Sequence, residues 1–346
     1  MEETPSTAEP VSTRDCANCG QPAMEGDHPS PLCSDCRESF TRLHIPIWIR
    51  IFAGGIAVLL LFSLFTLPGS ISLGVHLEKG KKAVREKSFS TAEKELTKVL
   101  EKVPSNIEAR GNLLIAAFYN QDYDLFYATY KKLDDVNIED KDLYGEIEKV
   151  MMKAGGYVTN DTLELFKKTY PDEAHIPDSA WARFLQAHGD DRYAELTYAT
   201  QLYDRKEYHL SDSIAELALQ SDNEYLPALM LGVGIKRDEG DLNGAMAYVD
   251  RILAINPESV WGLSAKARTF LRQKKMKPGL DLALRLYAMN KRDAYGISTL
   301  ILAYHFNNLA GERDALIKKA QSAAMDSTGK ENLKYALDVI NNKEKF

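Results

Sequence analysis

A regular period of about 34 residues runs through most of this 346-residue chain. Phe89, Tyr123 and Tyr157 follow one another at this interval, each just after a helix-length apolar segment. A second series with the same step consists of Tyr208, Leu242 and Met276. A period of this size is typical of a helix-turn-helix solenoid, whose units cannot bury their apolar faces alone and must stack on one another. We therefore expect an all-α stack of hairpins.

The composition indicates a folded protein, with 45% hydrophobic and 27% charged residues. The net charge is −7, and no part of the chain carries the basic excess that binding to a phosphate backbone requires. We therefore expect no nucleic-acid partner. Residues 1–14 differ from the rest, since they are polar, rich in Ser, Thr, Pro and Glu, and lack apolar periodicity. They are predicted to form a disordered tail.

All four cysteines lie in one short segment with the spacing C-x2-C-x13-C-x2-C: Cys16, Cys19, Cys33 and Cys36. Two such pairs can bring four thiolates together around one zinc ion, and Gly20 permits the turn that the first pair needs. Two disulfides, or four cysteines without a structural role, are the alternatives, and the second is disfavoured because so small a segment cannot stabilise itself without a crosslink. The segment resembles the short zinc ribbons that precede membrane spans in many bacterial proteins. We expect a ribbon at residues 15–40 with one structural zinc ion.

Residues 45–67 are apolar except for Arg50. This length is sufficient for a helix to cross a hydrocarbon core of about 30 Å, and Pro68-Gly69 is predicted to end the helix. A cleaved signal peptide is the rival interpretation. It is disfavoured because the apolar segment is long and follows a predicted zinc unit. We expect a single transmembrane helix in contact with the lipid bilayer.

The orientation of this span follows from the cysteines. Thiolates that bind zinc must stay reduced, which favours a cytoplasmic N-terminus and an extracytoplasmic solenoid, in a bacterial inner membrane. The basic residues that follow the span, from Lys79 to Lys87, oppose this orientation, but long domains are translocated largely regardless of charge.

From residue 73 onward the chain resembles the tetratricopeptide repeat family, whose unit is a pair of antiparallel helices. The first unit carries the pattern in Gly80, Phe89, Ala92, Leu96 and Pro104. The fifth unit repeats it with Gly240-Asp241-Leu242, Ala245, Leu253 and Asn256-Pro257. The resemblance implies a tetratricopeptide-like α-solenoid of about six to seven units over residues 73–346, preceded by the transmembrane helix and the zinc ribbon.

The step from Tyr157 to Tyr208 is half a repeat too long, which predicts an insertion at residues 171–192. We expect one added helix there, at 178–188, between a first block at 73–170 and a second block at 193–346. The seventh unit, at about 294–324, is predicted to be degenerate, and a capping helix is predicted at 331–341.

The first helices of these units are expected to line the concave face, where a protein or peptide partner would bind. The candidate partner-binding residues there are Lys81, Arg85, Asn112, Ile115, Phe118 and Tyr119. Members of the family that clamp an acidic C-terminus use Lys, Asn and Arg. Here Asp142 and Glu146 occupy the corresponding place in the third unit and would repel a carboxylate. The aromatic residues of 118–130 are explained either by packing between helices or by a peptide-binding patch.

The sequence offers no catalytic site. It has no glycine-rich phosphate loop with lysine, no H-E-x-x-H and no G-x-S-x-G, and its seven histidines are scattered. We therefore expect a non-enzymatic, membrane-anchored scaffold that binds a protein or peptide. The alternative is an envelope assembly or secretion factor that presents a polymer or unfolded client to an enzyme. An unrecognised hydrolase is a remote third interpretation.

Overall fold

The structure is a computed structural model that describes residues 14–23, 31–41, 45–323 and 327–346, with the backbone alone at 14, 23 and 62–70. The predicted tail thus lies outside the described residues except for its last position. The chain divides into two units, Met1–Ser70 and Ile71–Phe346. The regular secondary structure of the described residues is helical apart from one short β-hairpin.

The first unit begins with two short antiparallel strands, β1 (Arg14–Asp15) and β2 (Pro22–Ala23). The turn between them is tight because the backbone N–H of Gly20 donates to the carbonyl of Cys16 at 2.9 Å, and Gly20 has a φ of +72°. Residues that carry a Cβ atom rarely adopt this backbone conformation, whereas glycine does so freely. Helix α1 (Ser34–Thr41) follows, and helix α2 (Ile47–Arg85) begins in the first unit.

Helix α2 corrects one expectation from the sequence. It continues through Pro68 and Gly69 and ends only at Arg85, so the boundary between the two units falls within it. Proline removes one backbone donor, and here the apolar and helix-forming residues on both sides outweigh that loss.

The predicted membrane span coincides with the first part of α2. Within the part of the chain that the structure describes, no helix has both the length and the apolar character that crossing a membrane requires. The side chains of residues 62–67, which end the predicted span, lie outside the described residues.

The second unit is built of helical hairpins, the first formed by the end of α2 and helix α3. The remaining helices are α3 (Phe89–Lys102), α4 (Ile107–Tyr119), α5 (Tyr123–Tyr130), α6 (Lys141–Gly155), α7 (Asp161–Lys168), α8 (Asp178–Ala187), α9 (Arg192–Asp204), α10 (Tyr208–Ser221), α11 (Leu226–Glu239), α12 (Leu242–Ile255), α13 (Val260–Arg272), α14 (Met276–Met289), α15 (Ala294–Phe306), α16 (Ala310–Ser322) and α17 (Ser327–Ile340). The unit is therefore all-helical and solenoid-like.

The sequence period marks the first residue of the second helix in most hairpins. Helices α3, α5, α10, α12 and α14 begin at residues of the two series, and α16 begins one further step along, at Ala310. The seventh hairpin therefore keeps the period even though its sequence pattern is weak. The third hairpin departs from it, since α7 begins at Asp161 and not at Tyr157.

The turns of six of the seven hairpins, all but the third, share one backbone feature. Two residues before the second helix, the chain adopts a positive φ of between 58° and 84°, at Lys87, Gln121, Lys206, Gly240, Lys274 and Asn308. In the sixth hairpin the next backbone N–H, that of Lys275, donates to the carbonyl of Phe270 at 2.9 Å. This is the left-handed turn with a long reverse hydrogen bond that ends many helices.

The insertion contains the added helix that the sequence predicts, α8, after one turn of 3-10 helix at Glu173–His175. Trp181 on α8 is fully buried, stacks on Tyr198 at 5.4 Å and donates to Gln201 at 2.7 Å. Asn160 stands where the repeat pattern expects a small apolar residue, because its side chain caps α7 by accepting from Leu163 N–H at 2.9 Å.

Close packing within the first hairpin confirms the role of its small residues. Phe89, Ala92 and Leu96 are buried, and a Cβ at Gly80 would lie 2.5 Å from Leu96 Cγ. The capping helix is also present, but α17 begins at Ser327, four residues before the predicted start.

The first and second blocks contact each other. Tyr225 is buried and donates to the carbonyl of Gly156 at 2.8 Å, while its ring meets that of Tyr157 at 4.9 Å. Asn256 donates to the carbonyl of Tyr119 at 3.3 Å, across 137 positions of the chain. The stack therefore folds back, so that its first hairpins touch its fifth. The open face expected along the first block is partly closed by the protein itself.

Candidate functional site

The four cysteines form one cluster in the first unit. Their sulfur atoms all lie within 4.8 Å of one another, and the sulfurs of Cys19 and Cys33 are 3.6 Å apart. A tetrahedral zinc site with Zn–S bonds of about 2.3 Å needs sulfur separations of about 3.8 Å. All four cysteines are free, so the alternative of two disulfides does not describe this structure. The cluster can hold a metal ion.

Backbone hydrogen bonds favour the thiolate form of one cysteine in this cluster, Cys16. The backbone of Cys33, followed by that of Asn18, lowers the pKa of the Cys16 thiol to about 6. The side chain of Asn18 also donates to the sulfur of Cys36 at 3.3 Å. Since the thiolate is the form that binds a metal ion, the backbone donors favour the ligating state of Cys16. At Cys19 the backbone donor of Gln21 is outweighed by the neighbouring sulfurs, which raise the pKa, and the pKa of Cys36 is raised as well.

The six candidate partner-binding residues fall into two groups. Lys81 and Arg85 line a cavity of about 430 Å³ together with Asn112 and Ile115, and Asp142 and Glu146 line the same cavity. Lys81 is already paired with Glu108 and with Glu78. The acidic residues thus face this surface, as the sequence indicates.

Four of the six candidates contribute to the interior, including the two that also line this cavity: Asn112, Ile115, Phe118 and Tyr119. Ile115 and Phe118 are almost fully buried, and the amide of Asn112 donates to the carbonyl of Glu108 on its own helix. Tyr119 stacks on Phe89 at 4.9 Å. A partner on this face would therefore touch Lys81 and Arg85 more than these side chains, and partner binding by the set stays a prediction.

The second block has a different pocket on the inner side of its hairpins, which we call the arginine pocket. It has a volume of about 490 Å³, and its walls come from the first helix of each of four successive hairpins and from α17. Four aromatic residues line it, Tyr203, Trp261, Tyr295 and Tyr335, with three arginines, Arg237, Arg268 and Arg272.

The three arginines differ in their partners. Arg237 is neutralised by Asp238, with Nε and Nη2 at 2.7 and 3.0 Å from the two carboxylate oxygens. In the part of the chain described here, no carboxylate lies within 4.0 Å of Arg268 or Arg272. Arg272 contacts the ring of Phe346 at 4.9 Å and the hydroxyl of Tyr335 at 3.5 Å. The carboxylate of Glu331 also lines the pocket, and Asp238 interacts electrostatically with Arg272. The pocket lining thus carries three arginines against one carboxylate, and its net charge is positive.

A buried polar layer positions Arg268. Its Nε donates to Thr299 Oγ1 at 2.9 Å and its Nη2 donates to Ser298 Oγ at 2.7 Å. The hydroxyl of Ser264 lies 2.6 Å from that of Thr299, and all three hydroxyl residues are buried. Two of the five guanidinium N–H groups are engaged in this way, which leaves three for a ligand. Burial lowers the pKa of Arg268 to about 10, because the charged guanidinium group loses hydration. The attraction of an anion in the pocket would offset that loss.

A second cavity, the acidic cleft, adjoins the arginine pocket. It has a volume of about 1020 Å³ and shares Met230, Trp261 and Tyr295 with the pocket. Four carboxylates line it, those of Glu93, Asp122, Asp124 and Asp293, against one cationic side chain, Lys94. Burial raises the pKa of Glu93 to about 7, and one of its carboxylate oxygens is buried without a hydrogen-bond partner.

Sequence reasoning missed the arginine pocket, although a signal was present. Tyr203 and Arg237 occupy equivalent positions one period apart, and Arg268 is one period after Gly234. A comparison of equivalent positions would have indicated them.

Comparisons with known proteins identify no family. No protein-family model and no curated protein sequence matches the chain. Similar solved structures include pilF of Pseudomonas aeruginosa, with 11% identity over 77% of this chain and 98% of that chain and a TM-score of 0.35. A tetratricopeptide repeat protein from Parabacteroides merdae has 12% identity over 77% and 99% of the two chains, with a TM-score of 0.38. Yeast Tom70 has 11% identity over 73% and 60%, also with a TM-score of 0.38. These likenesses are too distant to carry an argument about function.

Proposed function

We propose that residues 71–346 form a non-catalytic scaffold that binds a protein or peptide on the inner side of the second block. The observation that carries this proposal is the arginine pocket. Successive hairpins direct arginine and aromatic side chains into one cavity that the core does not fill. Aromatic and arginine side chains are those that contribute most to binding at protein interfaces.

Site-specific crosslinking in cells tests this proposal. A photoreactive phenylalanine analogue at Trp261, which lines both cavities, is expected to capture a defined protein partner. The same analogue at Leu284, exposed on α14 outside both cavities, is the matched control and is expected to capture none. The product at position 261 is expected to disappear in Arg268→Gln. Equal products from both positions, or a product insensitive to Arg268→Gln, would contradict the proposal.

We also propose that residues 45–67 anchor the protein in a membrane, with the zinc ribbon on the cytoplasmic side and the scaffold outside. Two observations support the anchor. The segment is apolar apart from Arg50, and each of residues 45–61 is exposed, with Trp48 at 65% and Leu59 at 69%. Exposed apolar surface of this extent is unfavourable in water and favourable in lipid.

Membrane extraction and protease protection test the anchor and its orientation separately. The native chain is expected to remain in the membrane fraction at alkaline pH, and Leu59→Asp is expected to weaken that retention. Added protease is expected to digest residues 71–346 in cells whose outer layer has been opened. Release of the native chain at alkaline pH would refute the anchor, and full protection of the scaffold would refute the orientation.

We propose that the cysteine cluster binds one structural zinc ion. Four sulfur ligands leave no open coordination position for a substrate, and this is typical of zinc sites that stabilise small folds. The ligands would be Cys16, Cys19, Cys33 and Cys36.

A further inference from the structure

The arginine pocket and the acidic cleft form one groove with opposite charge at its two ends. Met230, Trp261 and Tyr295 line both cavities, so the two cavities adjoin at these three side chains. This shared wall is apolar and aromatic. It offers contact area to a chain without selecting a charge.

The arginine end is built to receive an anion. Arg268 is held by Ser298 and Thr299, which fixes its guanidinium plane before a ligand arrives. Arg272 lies one helical turn further along α13, so its guanidinium group can approach the same anion. A carboxylate or phosphate between them would receive hydrogen bonds from both groups.

The acidic end favours a cation. Asp124 is exposed in the cleft and belongs to α5, whereas Asp293 lies at the start of α15. Carboxylates thus reach the cleft from both blocks. The partnerless buried oxygen of Glu93 adds an acceptor that nothing in the described chain satisfies. Buried acceptors without a donor are unfavourable, and an ammonium or guanidinium group would supply the missing donor.

We infer that this groove binds an extended peptide segment that carries an acidic residue for the arginine pocket and, a few residues away, a basic residue for the acidic cleft. This inference rests on the proposed scaffold function and specifies its ligand. An extended segment fits because its side chains can reach both ends while its backbone crosses the shared aromatic wall. The charge order of the peptide then sets its direction in the groove.

Fluorescence anisotropy with the full-length protein in detergent tests the inference. The probes are labelled Gly-Ser peptides with blocked ends that carry a Glu pair and a Lys pair at increasing spacings. Controls of the same length carry only the Glu pair or only the Lys pair. We expect the affinity to peak at one spacing and to exceed that of either single-charge peptide by about tenfold.

Three variants assign the two ends. Arg272→Gln, which leaves the buried polar layer intact, is expected to weaken the two-charge peptide and the Glu-only peptide by about tenfold. Asp124→Asn is expected to weaken the two-charge peptide and to leave the Glu-only peptide unchanged. Arg285→Gln, on the exposed side of α14, is the matched control and is expected to change neither.

The outcomes separate this inference from the scaffold function. Equal affinity at every spacing, or indifference to Asp124→Asn, would overturn the two-ended groove even if crosslinking at Trp261 still captures a partner. Tight binding of a phosphorylated Glu-free peptide, with no contribution from lysine, would show a phosphate site and would also overturn it. If the native chain gives no crosslink at position 261 and binds none of the peptides, both proposals are refuted.

Discussion

Substitutions at the left-handed turn residue are expected to change stability in opposite directions in two neighbouring hairpins. Gly240 and Lys274 are equivalent, one period apart, with φ values of 84° and 59°. Both residues are exposed, and a Cβ at Gly240 would meet no heavy atom within 4 Å. Backbone conformation is therefore the main quantity that a substitution there changes.

The magnitude follows from two opposing contributions. The left-handed conformation costs a side-chain-bearing residue about 1–2 kcal/mol, and glycine loses about 0.5–1 kcal/mol more conformational entropy on folding. Gly240→Ala is therefore expected to lower the free energy of unfolding by about 0.5–1 kcal/mol, and Lys274→Gly is expected to raise it by a similar amount. The change at Lys274 removes no ion pair within the described chain.

Urea unfolding of the full-length protein, followed by circular dichroism at 222 nm (a helix signal), measures both changes. Thr200→Ala on the helical part of α9 is a control for a substitution without a left-handed backbone. A destabilising Lys274→Gly, or a Gly240→Ala variant as stable as the native chain, would show that the turns do not hold the conformation described.

Three further predictions concern other parts of the chain. Cys16→Ser is expected to abolish binding of one zinc ion per chain, measured by metal analysis, and to leave the melting of residues 71–346 unchanged; loss of both would join the two units into one. Glu195 is 3% exposed, and burial raises its pKa to about 7. The folded state therefore binds this proton more tightly than the unfolded state, so the stability that the protonated side chain contributes is present at low pH and is lost as the pH rises from about 4.5 through 7. In the native chain this effect is expected to lower the free energy of unfolding by about 1–3 kcal/mol between about pH 5 and about pH 8, and Glu195→Gln is expected to abolish that decrease. The same pH dependence in the variant as in the native chain would contradict this. Tyr225→Phe leaves the Gly156 carbonyl without its donor and is expected to cost about 1–2 kcal/mol; a neutral result would mean that the two blocks do not meet there.

The hairpins could be predicted from the sequence because their determinants are local. The spacing of Phe89, Leu242 and Met276 marks where second helices begin, and it does so because each unit repeats the same packing of small and large residues. The cysteine spacing predicted a cluster for a similar reason, since two short turns place four sulfurs together.

Local signals were misleading where a longer element outweighed them. Pro68 indicates a helix end, yet α2 continues to Arg85 because helix formation on both sides is cooperative. Phe118 was a candidate for partner contact, but it is almost fully buried against Tyr157 and Phe126. An apolar residue on a first helix looks the same in sequence whether it faces a partner or another part of the stack.

The repeat unit, the insertion and the four-cysteine cluster follow from the sequence alone, because each depends on residues that are near one another along the chain. The contact of the first block with the fifth hairpin, and the position of Arg268 and Arg272 at a pocket, emerge only when the hairpins are stacked in three dimensions. These features arise because small rotations between successive hairpins accumulate along the stack. Contacts such as that between Thr91 and Glu258, 167 positions apart, depend on that sum and on no single repeat.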